Sequence, residues 1–172
     1  MNRYQLAKIV EWAGTLDTRK RMQKVVYLLQ VAGCPLDVDY SLHHYGPYSQ
    51  DVARLTDEMV QSHLLVETPV PNPVGQQYSY RVDEKARYSI IDFEATSLGC
   101  VLSAQMEKFR ALSRQLLDAD LKDLEFASTI VFFLKQGHDW PIAVEKMCQF
   151  KGLPSSSLVV VRAEALARQL TY

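Results

Sequence analysis

The run Ile130-Val131-Phe132-Phe133-Leu134 closes a segment, Leu121 to Lys135, whose second half is apolar nearly all round. A helix of that kind has no face to give to water and needs neighbours on every side. It is therefore expected at the hub of the fold, with the rest of the chain as its cover. At about 15 residues, with Lys135 and Asp139 close by, it is too short to span a bilayer. A chain of 172 residues can supply the cover from one domain. By size scaling it buries roughly 70% of its unfolded surface, so no disulfide or metal is needed. With 48% apolar and 23% charged residues, disorder and fibrous repeats are excluded. Cys34, Cys100 and Cys148 form neither a ligand cluster nor a paired framework, which points to a reducing compartment. Met1 to Lys8 carries charge where a signal peptide would need an apolar run, and a cytoplasmic protein is expected.

The periodicity divides the chain. Leu6, Ile9, Val10 and Ala13 mark one helix, ending near Gly14. Met22, Val25, Val26 and Leu29 mark a second, capped by Asp17 or Thr18 and stopped by Gly33 and Pro35. Residues 38–45 alternate, with Val38, Tyr40, Leu42 and His44 on one face and Asp39, Ser41 and His43 on the other. Gly46-Pro47 is expected to break this strand. Ser49 then caps a helix running to about His63. Leu64 to Val66 and Tyr78 to Val82 read as strands joined by the Pro-rich stretch 69–75, a projecting hairpin. Residues 83–100 are ambiguous, expected to be helical in part and otherwise of open type. Leu102, Phe109, Leu112 and Leu116 suggest one helical face, followed by the hub, a helix opened by Asp139-Trp140-Pro141, and a last helix reaching Leu170.

The fold class read from this order is mostly α with a small β component (α+β). Residues 1–82 form a winged-helix-like amino-terminal half. Residues 83–172 form a helical half sharing the same core.

Nothing in the sequence has the spacing of a catalytic centre. Phosphate-cradling loops and nucleophile elbows are missing, so a non-enzyme without cofactor is expected. His43 and His44 point to opposite faces of a strand and cannot enter one metal site with His63. Cys34, in a turn without a neighbouring His, reads as an inert thiol. DNA binding has mixed support. The net charge is −1, but residues 1–30 carry a net +4 from six basic and two acidic residues. Arg19, Lys20, Arg21 and Lys24 are the candidates for phosphate contact. Against this, the helix at 49–63, placed to read a groove, holds three acids and one arginine. Protein recognition fits better. Tyr45, Tyr48, Tyr78 and Tyr80 give an aromatic edge suited to interfaces. The candidate contact residues are Tyr48, Gln50 and Arg54, with Pro71, Asn72 and Pro73 in the projecting loop. A homodimer stays open.

One resemblance sharpens this reading. Lys24-Val25-Val26-Tyr27-Leu28-Leu29, Gly33, and Tyr40 through Tyr45-Gly46-Pro47-Tyr48-Ser49 are similar to the YwgA-like group of bacterial proteins. They also look like a distant relative of the Panacea (SocA-like) antitoxin domain, although Tyr48-Ser49 departs from that domain's usual turn. The resemblance implies no catalytic residues. The Panacea likeness implies neutralisation of a toxin. With the residues it gives the expected function, a regulator or antitoxin-like neutraliser whose partner is a protein, with DNA-binding transcriptional regulation as the alternative and an enzyme or nucleotide binder as a third reading.

Overall fold

The computed structural model describes residues 1–71 and 75–170. Asn2 opens α1 (Arg3–Ala13) with a capping box: its side chain accepts from the Gln5 amide, and Gln5 Oε1 accepts from the Asn2 amide. A two-residue strand, β1 (Leu16–Asp17), follows, too short for any alternation to signal. Thr18 caps α2 (Arg19–Val31), its hydroxyl accepting from the Arg21 amide. The expected strand at 38–45 is shorter. Only β2 (Ser41–His43) is paired, with β3 (Gly46–Tyr48), Leu42 standing opposite Pro47. Gly46-Pro47 thus returns a strand instead of ending one. A two-stranded ribbon leaves each strand a free edge, where a proline sacrifices no ladder hydrogen bond. His44, expected on the inner face, is exposed because the turn begins there.

Ser49 caps α3 (Gln50–Gln61), which buries Val52, Thr56 and Met59. β4 (Leu65–Val70) and β5 (Gln77–Val82) form the expected hairpin, and β5 also pairs with β1, giving the order β1-β5-β4. Pro69 sits in β4, on the sheet edge.

The carboxy-terminal half holds more helices than the pattern suggested. Residues left open in the sequence form α4 (Glu84–Glu94) and the start of α5 (Ser97–Glu107). α6 (Arg110–Asp118) begins after a break at Lys108-Phe109. Leu102 therefore stands on a different helix from Leu112 and Leu116, and the single face expected for them does not exist. Neither break contains Gly or Pro, so the sequence carried no stop signal there. A Cβ on Gly99 would collide with the Phe93 carbonyl, so α5 lies closer to the end of α4 than any other residue would allow.

α7 (Leu121–Lys135) is buried continuously from Leu124 to Val131. It packs on α2, β3, α8 (Trp140–Lys151) and α9 (Leu158–Arg168). The buried apolar set joins Leu6 and Ile9 of α1 to Leu28 of α2, Ile130 of α7 and Ala163 of α9. Among the described residues no helix is long and apolar enough to cross a membrane. The molecule is mostly α with a small β component.

Candidate functional site

The four cations nominated for phosphate contact all serve the chain itself. Arg19 pairs with Asp57 at 2.6 Å and Glu67 at 3.0 Å, and its Nε donates to the Tyr80 hydroxyl at 2.7 Å. These partners hold its guanidinium firmly protonated. Arg21 donates to the carbonyls of Leu117 and Ala119, closing the end of α6. Lys20 pairs with Glu125 at 3.1 Å and stands 3.8 Å from the Tyr45 ring centroid. Lys24 is 2% exposed, and burial pushes its amine down to about 7.

Lys24 belongs to a cluster behind the corner at 43–49. Glu125 of α7 accepts from Lys20 of α2 and from Lys151 at the end of α8, while Lys151 also donates to the His44 carbonyl at 2.7 Å. Two ammonium groups thus hold one carboxylate, with the buried Lys24 amine behind them donating to the Pro47 carbonyl. Gly46 lies against α7 at φ +87, and a Cβ there would stand 2.5 Å from Thr129 Oγ1. The corner is a clamp between α2 and α7, with the rings of His43, His44 and Tyr45 exposed and that of Tyr48 half-buried.

The residues nominated for partner contact divide. Tyr48 is half-buried and stacks on His43, with ring centroids 4.8 Å apart. Gln50 and Arg54 are exposed at the start of α3, and Arg54 is held by Asp51 at 3.0 Å. Pro71 is exposed beyond the end of β4, while Asn72 and Pro73 lie outside the described residues. Cys34, 2% exposed, has its thiol pushed up to about 11 by burial.

The face that stands out is one the sequence reading missed. Tyr88 and Ile91 of α4 are 71% and 60% exposed, and Leu98 and Val101 of α5 are 70% and 58% exposed. Ala86 and Ile90 turn inward, and the hairpin is tied to α1 by the Tyr4–Phe93 ring pair and by Lys8 to Glu94 at 3.1 Å. Beside it runs a groove of 470 Å³, walled by Tyr4, Ala7, Met59, Leu64, Ile90, Phe93 and Leu98. Its lining is apolar, with Asn2, Arg3 and Ser89 also bordering it. A helix apolar on both its inner and outer sides has no clear period, which is why residues 83–100 could not be typed.

A wider recess of 630 Å³ between α8 and α9 has a different character. Gln149 there is paired with Glu145 and Arg168 with Glu164.

No family model matches the chain. The uncharacterized protein YwgA of Bacillus subtilis (strain 168) is 26% identical over 129 residues, which cover 75% of this chain and 72% of that protein. The likeness expected from the sequence, to the YwgA-like group of bacterial proteins, is borne out.

Proposed function

We infer that this protein is a non-catalytic recognition protein, a regulator or antitoxin-like neutraliser, that captures a protein partner on the α4–α5 face. One observation carries the reading: four large apolar side chains between 58% and 71% exposed, on two consecutive helices beside an apolar groove. Exposed apolar surface of this kind is unusual on a chain that works alone, and it suits aromatic or aliphatic anchors from a partner. The neutraliser form rests on the distant resemblance of the α2 helix, turn and Gly46-Pro47 pattern to the Panacea antitoxin domain, from which Tyr48-Ser49 departs.

The order α1, β1, α2, α3, β4, β5, interrupted between α2 and α3 by the β2-β3 ribbon, with sheet order β1-β5-β4, supports reading residues 1–82 as a winged helix. That order also favours the second reading, DNA-binding regulation. The charge opposes it, because Arg19, Lys20, Arg21 and Lys24 are engaged internally and α3 is acidic.

The test is capture from extract of the native host by wild type and by the double variant Ile91→Asp/Leu98→Asp. Both positions are exposed, so folding should hold. Partner recovery should fall at least about tenfold, the scale of losing two interface anchors. Equal recovery by the two proteins would move the site elsewhere.

A further inference from the structure

We propose that the outer face of α4 is a homodimer interface, its occupant the same face of a second copy of this chain related by a two-fold axis. The inference rests on reading the α4–α5 face as a protein-recognition surface, and it names one partner.

Tyr88 and Ile91 lie one turn apart on the outward stripe of α4. Lys85 and Asp92 fall on one flank of that stripe, the lysine toward the start of the helix and the aspartate toward its end. Both are exposed, and neither side chain has an ion pair or hydrogen bond among the described residues. A recess of 470 Å³ lies along the same face, bordered by Glu84, Lys85, Arg87, Tyr88 and Ile91.

When two helices pack antiparallel about a two-fold axis, like flanks meet and the order of residues is reversed. An axis passing midway between Tyr88 and Ile91 sets Tyr88 of one copy against Ile91 of the other, twice. The same axis brings Lys85 toward Asp92 of the other copy, again twice. The flank that carries Lys85 and Asp92 is thus complementary to itself in charge, and the apolar pair is complementary to itself in shape class. A parallel two-fold arrangement brings unlike flanks together and leaves Lys85 and Asp92 of the two copies on opposite sides of the seam, unpaired with each other. The apolar pairs supply the attraction, and the flanking charges select the antiparallel register.

Sedimentation velocity on the full chain, from about 1 μM to about 500 μM, reads the equilibrium directly. A concentration-dependent dimer is expected, and Ile91→Asp should leave a monomer. Lys85→Glu and Asp92→Lys should each weaken association by about tenfold, since each turns two attractive pairs into two repulsive ones. The double variant Lys85→Glu/Asp92→Lys restores opposite charges and should recover to within about threefold of wild type. Circular dichroism confirms that each variant is folded. A monomer at every concentration, or a dimer indifferent to both single charge variants, overturns the proposal. A wild-type monomer that still loses host-protein capture on Ile91→Asp/Leu98→Asp overturns the dimer alone and leaves the recognition reading standing.

Discussion

Lys24 Nζ donates to the Pro47 carbonyl oxygen over 2.6 Å, joining the middle of α2 to the Gly-Pro corner from inside the core. Burial is the main force on this amine. Lys151 and Lys20 add to it, and Glu125 works against it.

The sign of the resulting pH dependence follows from that depression. In the unfolded chain a lysine amine titrates near its ordinary value of about 10.4, whereas in the fold Lys24 titrates near 7. Between those values the unfolded chain binds more protons, so stability rises with pH. Below about pH 7 the penalty for charging the buried amine is fully present. Chemical denaturation should show about 2 kcal/mol of added stability from pH 7 to pH 9. Lys24→Met should flatten that slope. Above about pH 9 the Cys34 thiol, whose folded value is near 11, acts in the opposite direction. A wild-type slope equal to that of Lys24→Met would show that the amine keeps its charge in the fold.

Gly46→Val should be destabilising for two reasons that act together. The backbone at φ +87 disfavours any side chain, and a Cβ would press on Thr129 Oγ1. A loss of about 1–3 kcal/mol is expected, seen as a drop of several degrees in the thermal midpoint. An unchanged melting curve would mean that the corner is retained for recognition alone.

Arg19→Ala leaves Asp57, Glu67 and the Tyr80 hydroxyl without their shared donor. We expect a stability loss of about 1–2 kcal/mol, and Arg19→Lys should recover only part of it, because one ammonium cannot replace the planar fork. Duplex DNA binding, measured by fluorescence anisotropy across salt, should be weak and sequence-blind in wild type and in Arg19→Ala alike. Specific nanomolar affinity at about 150 mM salt would restore the DNA reading.

Gly99→Ala tests whether the α4–α5 hairpin must close tightly. The added methyl meets backbone at the Phe93 carbonyl, which cannot swing aside as a flexible side chain would. Amide hydrogen exchange in residues 84–107 should accelerate, while α2 and α7 keep their protection. Unchanged exchange in the hairpin would show that α5 can shift along α4 at little cost.

Helices with one apolar stripe, or apolar all round, were legible from residue types alone. α1, α2, α3 and α7 fall where their periodicity and caps place them, and Asp139 with Pro141 marks the start of α8. The β4–β5 hairpin was legible from alternation and from the prolines that punctuate it. What escaped of the fold has a common cause. β1 is two residues long, and the breaks between α4, α5 and α6 rely on Thr96 and on Phe109 without Gly or Pro. The candidate face escaped for a different reason, since hydrophobicity alone does not tell exposed Tyr88, Ile91, Leu98 and Val101 from core residues. The internal partners of Arg19, Lys20, Arg21 and Lys24 were not legible either. A Lys or Arg in a sequence does not disclose whether an acid such as Asp57 or Glu125 waits for it across the fold.

The α4–α5 hairpin reaches the body through few anchors: Tyr4 against Phe93, Lys8 with Glu94, and the inward side chains Ala86, Ile90 and Met106. Its outward positions owe nothing to those anchors. A lineage that keeps the anchors is free to rewrite Tyr88, Ile91, Leu98 and Val101 without unsettling the frame. Descendants of one ancestor should therefore share the Gly-Pro corner and diverge at this hairpin, each carrying a different affinity on the same chassis.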